Sequence, residues 1–124
     1  MIRCGIDLVE VGRIRAAIDE HGEHFLHRVF TPTEIEYCAS LRDPVPHYAA
    51  RFALKEAFYK SLPPGALDAL VWNEVGLRRQ ESGATELELR GHTAARLRQW
   101  SFAISISHTH DHAIAQVLAV QNER

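Results

Sequence analysis

The sequence predicts an α+β domain with a largely antiparallel sheet, on three observations. Alternating β-branched segments open and close the chain, helical periodicity fills the stretch from Gly12 to Ser61, and no strand-helix unit repeats along it. At 124 residues the chain fits one domain spanning residues 1–124, with room for one active site shared between subunits.

Ile2 to Val11 reads as a strand that sets Cys4, Ile6 and Leu8 on one face and Asp7, Val9 and Val11 on the other. From Gly12 the period turns helical: Ile14, Ala17 and Ile18 recur at three and four, and the pattern resumes after Gly22 with Phe25, Leu26, Val29 and Phe30. Thr31-Pro32-Thr33-Glu34 announces a second helix. The threonine hydroxyl can accept from the backbone, Pro32 suits the first helical position, and Glu34 completes a capping box. A third helix is expected from about Pro46 to Ser61, favoured by its alanines and stopped by Pro63-Pro64. Beyond that turn Val71, Asn73, Val75 and Leu77 alternate with Trp72 and Glu74, and Thr85 to Leu89 alternates after Glu81-Ser82-Gly83, which predicts a hairpin. His92 to Gln99 reads as a helix, and Phe102 to Ile106 and Ala113 to Val120 as strands around a polar loop. The predicted order is β-α-α-α-β-β-α-β-β.

Composition narrows the function. With 46% hydrophobic and 24% charged residues the chain can bury a core, which excludes a disordered or collagen-like segment. Fourteen basic against 16 acidic residues leave a formal charge of -2, so no nucleic-acid partner is expected. The longest apolar stretches, such as Ala113 to Val120, fall short of the roughly 20 residues of a membrane span, and the first residues resemble no signal peptide. A soluble, cytoplasmic protein with no membrane partner is therefore expected. Cys4 and Cys38 suit neither a disulfide framework nor a zinc knuckle and read as reduced thiols.

The most informative stretch is Arg51-Phe52-Ala53-Leu54-Lys55-Glu56-Ala57-Phe58-Tyr59-Lys60. At helical spacing Ala49, Phe52, Ala53 and Ala57 share a stripe, and Glu56 and Lys60 are expected in its middle, one turn apart and aimed inward. Two readings are open. One is a surface ion pair worth about 0.2–0.5 kcal/mol; the other is a site in which flanking alanines admit a bulky ligand and the pair holds a metal and an anionic substrate together. Asp7, between Ile6 and Leu8, either faces water or takes a cationic partner, and beside Glu56 it would make a hard oxygen site of the magnesium type.

Ser107-His108-Thr109-His110-Asp111-His112 holds three of the eight histidines. Its spacing is one residue short of the His-x-His-x-Asp-His of binuclear metallohydrolases, which draw further ligands from longer chains. The other readings are a loop of hydroxyls, imidazoles and backbone donors contacting phosphate, and a plain solvated turn. There is no glycine-rich phosphate loop, Gly-x-Ser-x-Gly elbow or Cys-x-x-Cys pair.

Taken together, Gly5-Ile6-Asp7-Leu8-Val9-Glu10-Val11 with Arg13, the Arg51 to Lys60 segment, Trp72-Asn73-Glu74-Val75 and Ser105-Ile106-Ser107-His108-Thr109 resemble the holo-(acyl-carrier-protein) synthase family. The blocks come in the family's order over almost the whole chain, and Phe-Ala-x-Lys-Glu-Ala-x-x-Lys is its most specific mark. The resemblance implies the phosphopantetheinyl transferase fold, a homotrimer with active sites between subunits, and transfer of phosphopantetheine from coenzyme A to a serine of an apo acyl carrier protein. It implies Asp7 and Glu56 as magnesium ligands and Lys60 as the contact to the pyrophosphate. Arg51 and His108, with Thr109 close by, resemble holders of the nucleotide phosphates, and Arg13 resembles a contact to the carrier's acidic helix. Glu56, directly or through a water, is the expected base.

Two segments depart from the family pattern. Gly83-Ala84-Thr85 stands where the family carries Gly-Lys-Pro or Gly-Arg-Pro, and Pro63-Pro64-Gly65-Ala66 replaces a glycine-rich loop. A binding module on the same scaffold without turnover is the competing reading; the intact Asp7, Glu56 and Lys60 set argues against it. In the first helical region Arg13 and Arg28 are expected anchors for an acidic carrier helix. His21, His24 and His27 there read either as proton-dependent cations for that helix or as a solvated surface.

Overall fold

The alternating segments at the two ends of the chain find each other. In the computed structural model, which describes residues 1–122, β1 (Ile2–Glu10) and β4 (Trp100–His108) both pair antiparallel with β5 (His112–Gln121) in the order β1-β5-β4. The register sets Asp7 opposite Ala115 and Val9 opposite Ala113. A separate two-stranded sheet joins β2 (Val75–Arg79) to β3 (Thr85–Leu89), again antiparallel. The expected antiparallel α+β domain is thus present, its strands divided between two sheets.

The helical half holds α1 (Val11–His21), α2 (Glu23–Val29), α3 (Pro32–Ala39) and α4 (Val45–Ser61), with α5 (Gly91–Arg96) between β3 and β4. The first helical region divides at Gly22, whose φ of 55° lies in the left-handed region that glycine tolerates, so four helices precede the hairpin instead of three. The capping box at α3 is formed as read: Thr31 Oγ1 accepts from Glu34 N, and the Glu34 carboxylate accepts from Thr31 N. The strand expected from Val71 is corrected. Trp72–Glu74 is a short 3-10 turn and β2 begins at Val75, because Glu74 N donates back to Val71 O and closes the chain there.

Helix α4 is the axis of the core. Ala49, Ala50, Ala53, Leu54, Ala57 and Phe58 have no exposed surface, and they lie on the inner face of the three-stranded sheet with Ala113, Ala115, Val117 and Ala119 of β5. Small residues on both sides bring helix and sheet close, and Gly5 sets the limit: a Cβ there would stand 2.1 Å from Ala57 O. The outer face of the same sheet is apolar too. Ile2, Ile6 and Leu8 of β1 and Ile114, Leu118 and Val120 of β5 are between 37% and 72% exposed.

Candidate functional site

The close approach at Gly5 decides where the next inward residue of β1 goes. Asp7 emerges beside the last turn of α4, where Lys60 Nζ donates to Asp7 Oδ1 at 2.9 Å and to Ile6 O at 3.3 Å. Glu56, partly buried, stands one turn before Lys60 on the same side of the helix. Asp7 and Lys60, two of the residues singled out in the sequence, are therefore in contact across two elements 53 positions apart.

Their placement corrects one expectation. Glu56 and Lys60 do not lie in the middle of the buried stripe: the Lys60 side chain is 54% exposed. The buried arc of α4 is centred on Ala50, Ala53 and Ala57, which leaves Glu56 and Lys60 at its open edge. The inward charges belong to Arg51 and Lys55 at the opposite edge, where α3 and β2 cover the helix.

Lys55 is wholly buried. It donates to Glu34 Oε1 at 2.7 Å and to Val75 O, while Glu34 Oε2 accepts from Leu77 N at 3.1 Å. Burial pulls the Lys55 ammonium below its ordinary pKa, and the Glu34 carboxylate counters that pull. This clamp ties α3 and β2 to the helix that carries Glu56 and Lys60.

Arg51 opens a second cluster, one step along the same helix edge. It donates to His47 O, its guanidinium carbon lies 4.9 Å from the Tyr37 ring centroid, and its Nε has no partner although the residue is 1% exposed. Arg79 of β2 packs on the same ring at 5.1 Å, and the His47 and His108 rings meet edge to face at 4.8 Å. His47, Arg51, Arg79 and His108 border a cleft of about 300 Å³. Burial holds the His47 pKa below its ordinary value, aided by the charges of His108, Arg51 and Arg79 and opposed by Asp43. A concave site with this excess of cations suits an anion such as phosphate.

The other expected residues fall outside these two clusters. Thr109 closes the β4–β5 turn, its Oγ1 accepting from His112 N at 3.2 Å and its N–H donating to His112 O at 2.8 Å, which sets it beside His108. Arg13 and Arg28 are exposed on α1 and α2. His27 Nε2 lies 3.0 Å from Glu23 and His21 Nε2 3.7 Å from Glu20, so two of the three histidines there face carboxylates of their own segment. Among the described residues no three His, Cys, Asp or Glu side chains are grouped to hold a metal, and His110 and His112 stay exposed. The loop therefore presents no built metallohydrolase centre. A larger groove of about 610 Å³ lies elsewhere, bordered by His27, Phe30, Ile35, Asn73 and Arg90.

Sequence reasoning missed His47, Arg79 and Tyr37. His47 carried a usable signal, since it precedes Arg51 by one helical turn; Arg79 reaches the cleft, and Tyr37 reaches the Arg51 and Arg79 guanidiniums, only through tertiary packing.

The model of the 4'-phosphopantetheinyl transferase superfamily matches residues 3–117. The holo-[acyl-carrier-protein] synthase of Chlamydia pneumoniae is 37% identical over 97% of this chain and 98% of its own. That of Leptospira biflexa is 40% identical over 95% of each. Among solved structures, the ACPS-CoA complex of Chronobacterium ammoniagenes superposes with a TM-score of 0.84 at 29% identity, covering 100% of this chain and 99% of that one. Helicobacter pylori holo-[acyl-carrier-protein] synthase in complex with coenzyme A gives 0.79 at 31% identity, over 97% and 100%.

Proposed function

The chain belongs to the 4'-phosphopantetheinyl transferase superfamily, among its holo-[acyl-carrier-protein] synthases, and from that premise we propose how its residues divide the work. The reaction moves 4'-phosphopantetheine from coenzyme A to a serine of an apo acyl carrier protein. The serine oxygen bonds to the phosphorus that carries pantetheine, the pyrophosphate bridge breaks, and adenosine 3',5'-bisphosphate leaves with the bridging oxygen.

The observation that carries this reading is the Asp7–Lys60 contact at 2.9 Å with Glu56 one turn away. Such a transfer needs charge neutralisation on the phosphoryl oxygens, a leaving phosphate held in line and an acceptor for the serine proton. Lys60, half-exposed beside Asp7, grips the pyrophosphate. Glu56, directly or through a water, takes the serine proton. Asp7 and Glu56 fit a magnesium ion by donor chemistry: two carboxylates supply hard oxygens and leave the remaining positions to phosphate and water. Asp7 already draws a cation to its oxygen. Magnesium, when bound, supplies further charge neutralisation.

Arg51 and His108 hold nucleotide phosphate, with Thr109 shaping the turn beside them. Arg13 and Arg28 receive the acidic face of the carrier. The apolar outer face of the sheet supports a homotrimer with active sites between subunits, since a patch of exposed Ile2, Ile6, Leu8, Ile114, Leu118 and Val120 marks an assembly surface. We place the protein in the cytoplasm, supporting fatty acid or polyketide synthesis.

The test is to incubate the protein with coenzyme A, magnesium and an apo carrier, then weigh the carrier by mass spectrometry. A gain of one phosphopantetheine arm, abolished by chelating the metal, is expected. No gain with several carriers would remove the reading.

A further inference from the structure

Helix α4 ends without a glycine. Pro63 favours extended backbone at the residue before it, and Leu62 takes φ -89° and ψ 146°, which stops the helix at Ser61. The carbonyls of the last turn then lack helical donors. Ser61 Oγ donates to Phe58 O at 2.6 Å and Leu62 N to Tyr59 O at 3.2 Å, both from within the turn itself. Arg3 supplies the rest from another element: its Nε donates to Ser61 O at 3.0 Å and its Nη2 to Leu62 O at 3.5 Å. A guanidinium at a helix C-terminus is further favoured by the aligned carbonyl dipoles.

Arg3, Gly5 and Asp7 alternate along β1 and so share the face turned to α4. Each of them meets the same turn of the helix. Gly5 lets the two backbones touch, since a Cβ there would stand 2.1 Å from Ala57 O and 2.8 Å from Ser61 N. Asp7 takes the Lys60 ammonium at 2.9 Å. That last contact is given up when the ammonium turns to a phosphate, and the turn is then held from β1 by Arg3 and Gly5.

We propose that Arg3 is a positioning residue for the transfer: by bonding the carbonyls of Ser61 and Leu62 it fixes the turn of α4 that carries Lys60, so that the ammonium meets the pyrophosphate in one place. The proposal rests on the reading of Lys60 given above and adds a residue outside the blocks that carry the family resemblance. Arg3 acts through Lys60 and not on the substrate. Without it the last turn of α4 keeps only the bonds it makes to itself and the Gly5 contact, and a helix end so held frays. Misplacing a group that binds the reacting phosphate by about 1 Å costs up to about a hundredfold in rate. Gly5 still holds one side of the turn, so a loss of about tenfold is expected.

Steady-state transfer from coenzyme A to an apo carrier tests this, with rates taken per folded molecule for the native protein, Arg3→Met, Arg3→Lys, Lys60→Met and the double variant; Arg3→Gln replaces Arg3→Met where the methionine variant fails to fold. Arg3→Met is expected to lower kcat about tenfold while the KM for the carrier stays unchanged. Arg3→Lys keeps a cationic donor for the same carbonyls and should recover part of the loss. Because Arg3 acts through Lys60, the double variant should transfer as slowly as Lys60→Met alone and no slower. A residue that served only the fold would multiply its own loss onto that of Lys60→Met. A native rate for Arg3→Met, full multiplication in the double variant, or no recovery in Arg3→Lys would overturn the proposal and leave the coenzyme A reading standing. Transfer untouched by Lys60→Met would overturn the role of Lys60 and the proposal together.

Discussion

Asp7, Glu56 and Lys60, the proposed reaction site, lie at the open edge of α4, where a small change of charge leaves the core untouched. Asp7→Asn and Glu56→Gln are each expected to lower transfer about a hundredfold or more with an unchanged circular dichroism spectrum, because each removes a negative charge that a magnesium ion at this site would need. Excess magnesium should partly restore one of them; near-normal rates for both at low magnesium would contradict the two-carboxylate site. Arg51→Ala should weaken coenzyme A binding more than it weakens subunit association, as read by titration and by elution volume. Identities at this scale were legible where they sat in a recognisable motif. Orientation was less so, because the alanine stripe of α4 is broad and the spacing alone did not tell its middle from its rim. The sheet settles that question by burying Ala50, Ala53 and Ala57, and α3 and β2 bury Arg51 and Lys55. His47 and Arg79 belong to no motif, and only the packing of β2 and β4 beside α4 brings them together.

The elements are locked to one another by buried polar clamps. Lys55→Met leaves the Glu34 carboxylate buried without its cation and should destabilise the fold by about 3–5 kcal/mol in denaturant titration. Replacing both partners, as Glu34→Gln with Lys55→Met, should cost less than the single change; equal or greater loss would show that the pair is not the clamp. A second tie serves α5, which has no side-chain cap of its own. The Glu74 carboxylate accepts from Thr93 Oγ1 at 2.7 Å and Thr93 N at 3.0 Å, and these bonds hold its pKa below the ordinary 4.5. Because the folded pKa is depressed, this stabilisation is present above about pH 4.5 and is lost as pH falls through the folded value. Glu74→Gln should therefore flatten the acid limb of a stability-against-pH curve; an unchanged limb would remove Glu74 from the explanation. The capping box at α3 was legible because all its parts lie within four residues. The 3-10 turn at Trp72–Glu74 was not, since its alternating residues suit a strand until the backbone closes on Val71.

For the whole molecule, the outer sheet face is the feature a single chain leaves unresolved. The alternation of β1 and β5 was visible in the sequence, yet both of its faces are apolar, so periodicity alone named no solvent side. The proposed homotrimer would cover that face, and the protein should elute as one. Leu118→Lys is expected to shift elution toward the monomer and to lower transfer in parallel; a fully active monomer would contradict sites between subunits. The most direct measurement of all is product stoichiometry: coenzyme A, magnesium and an apo carrier are mixed with the protein, and holo carrier and adenosine 3',5'-bisphosphate are quantified from the same reaction. One bisphosphate released for each carrier modified, with none when the carrier's acceptor serine is replaced by alanine, is the predicted result. Coenzyme A cleaved without carrier modification, or left intact beside an unmodified carrier, would contradict the assignment.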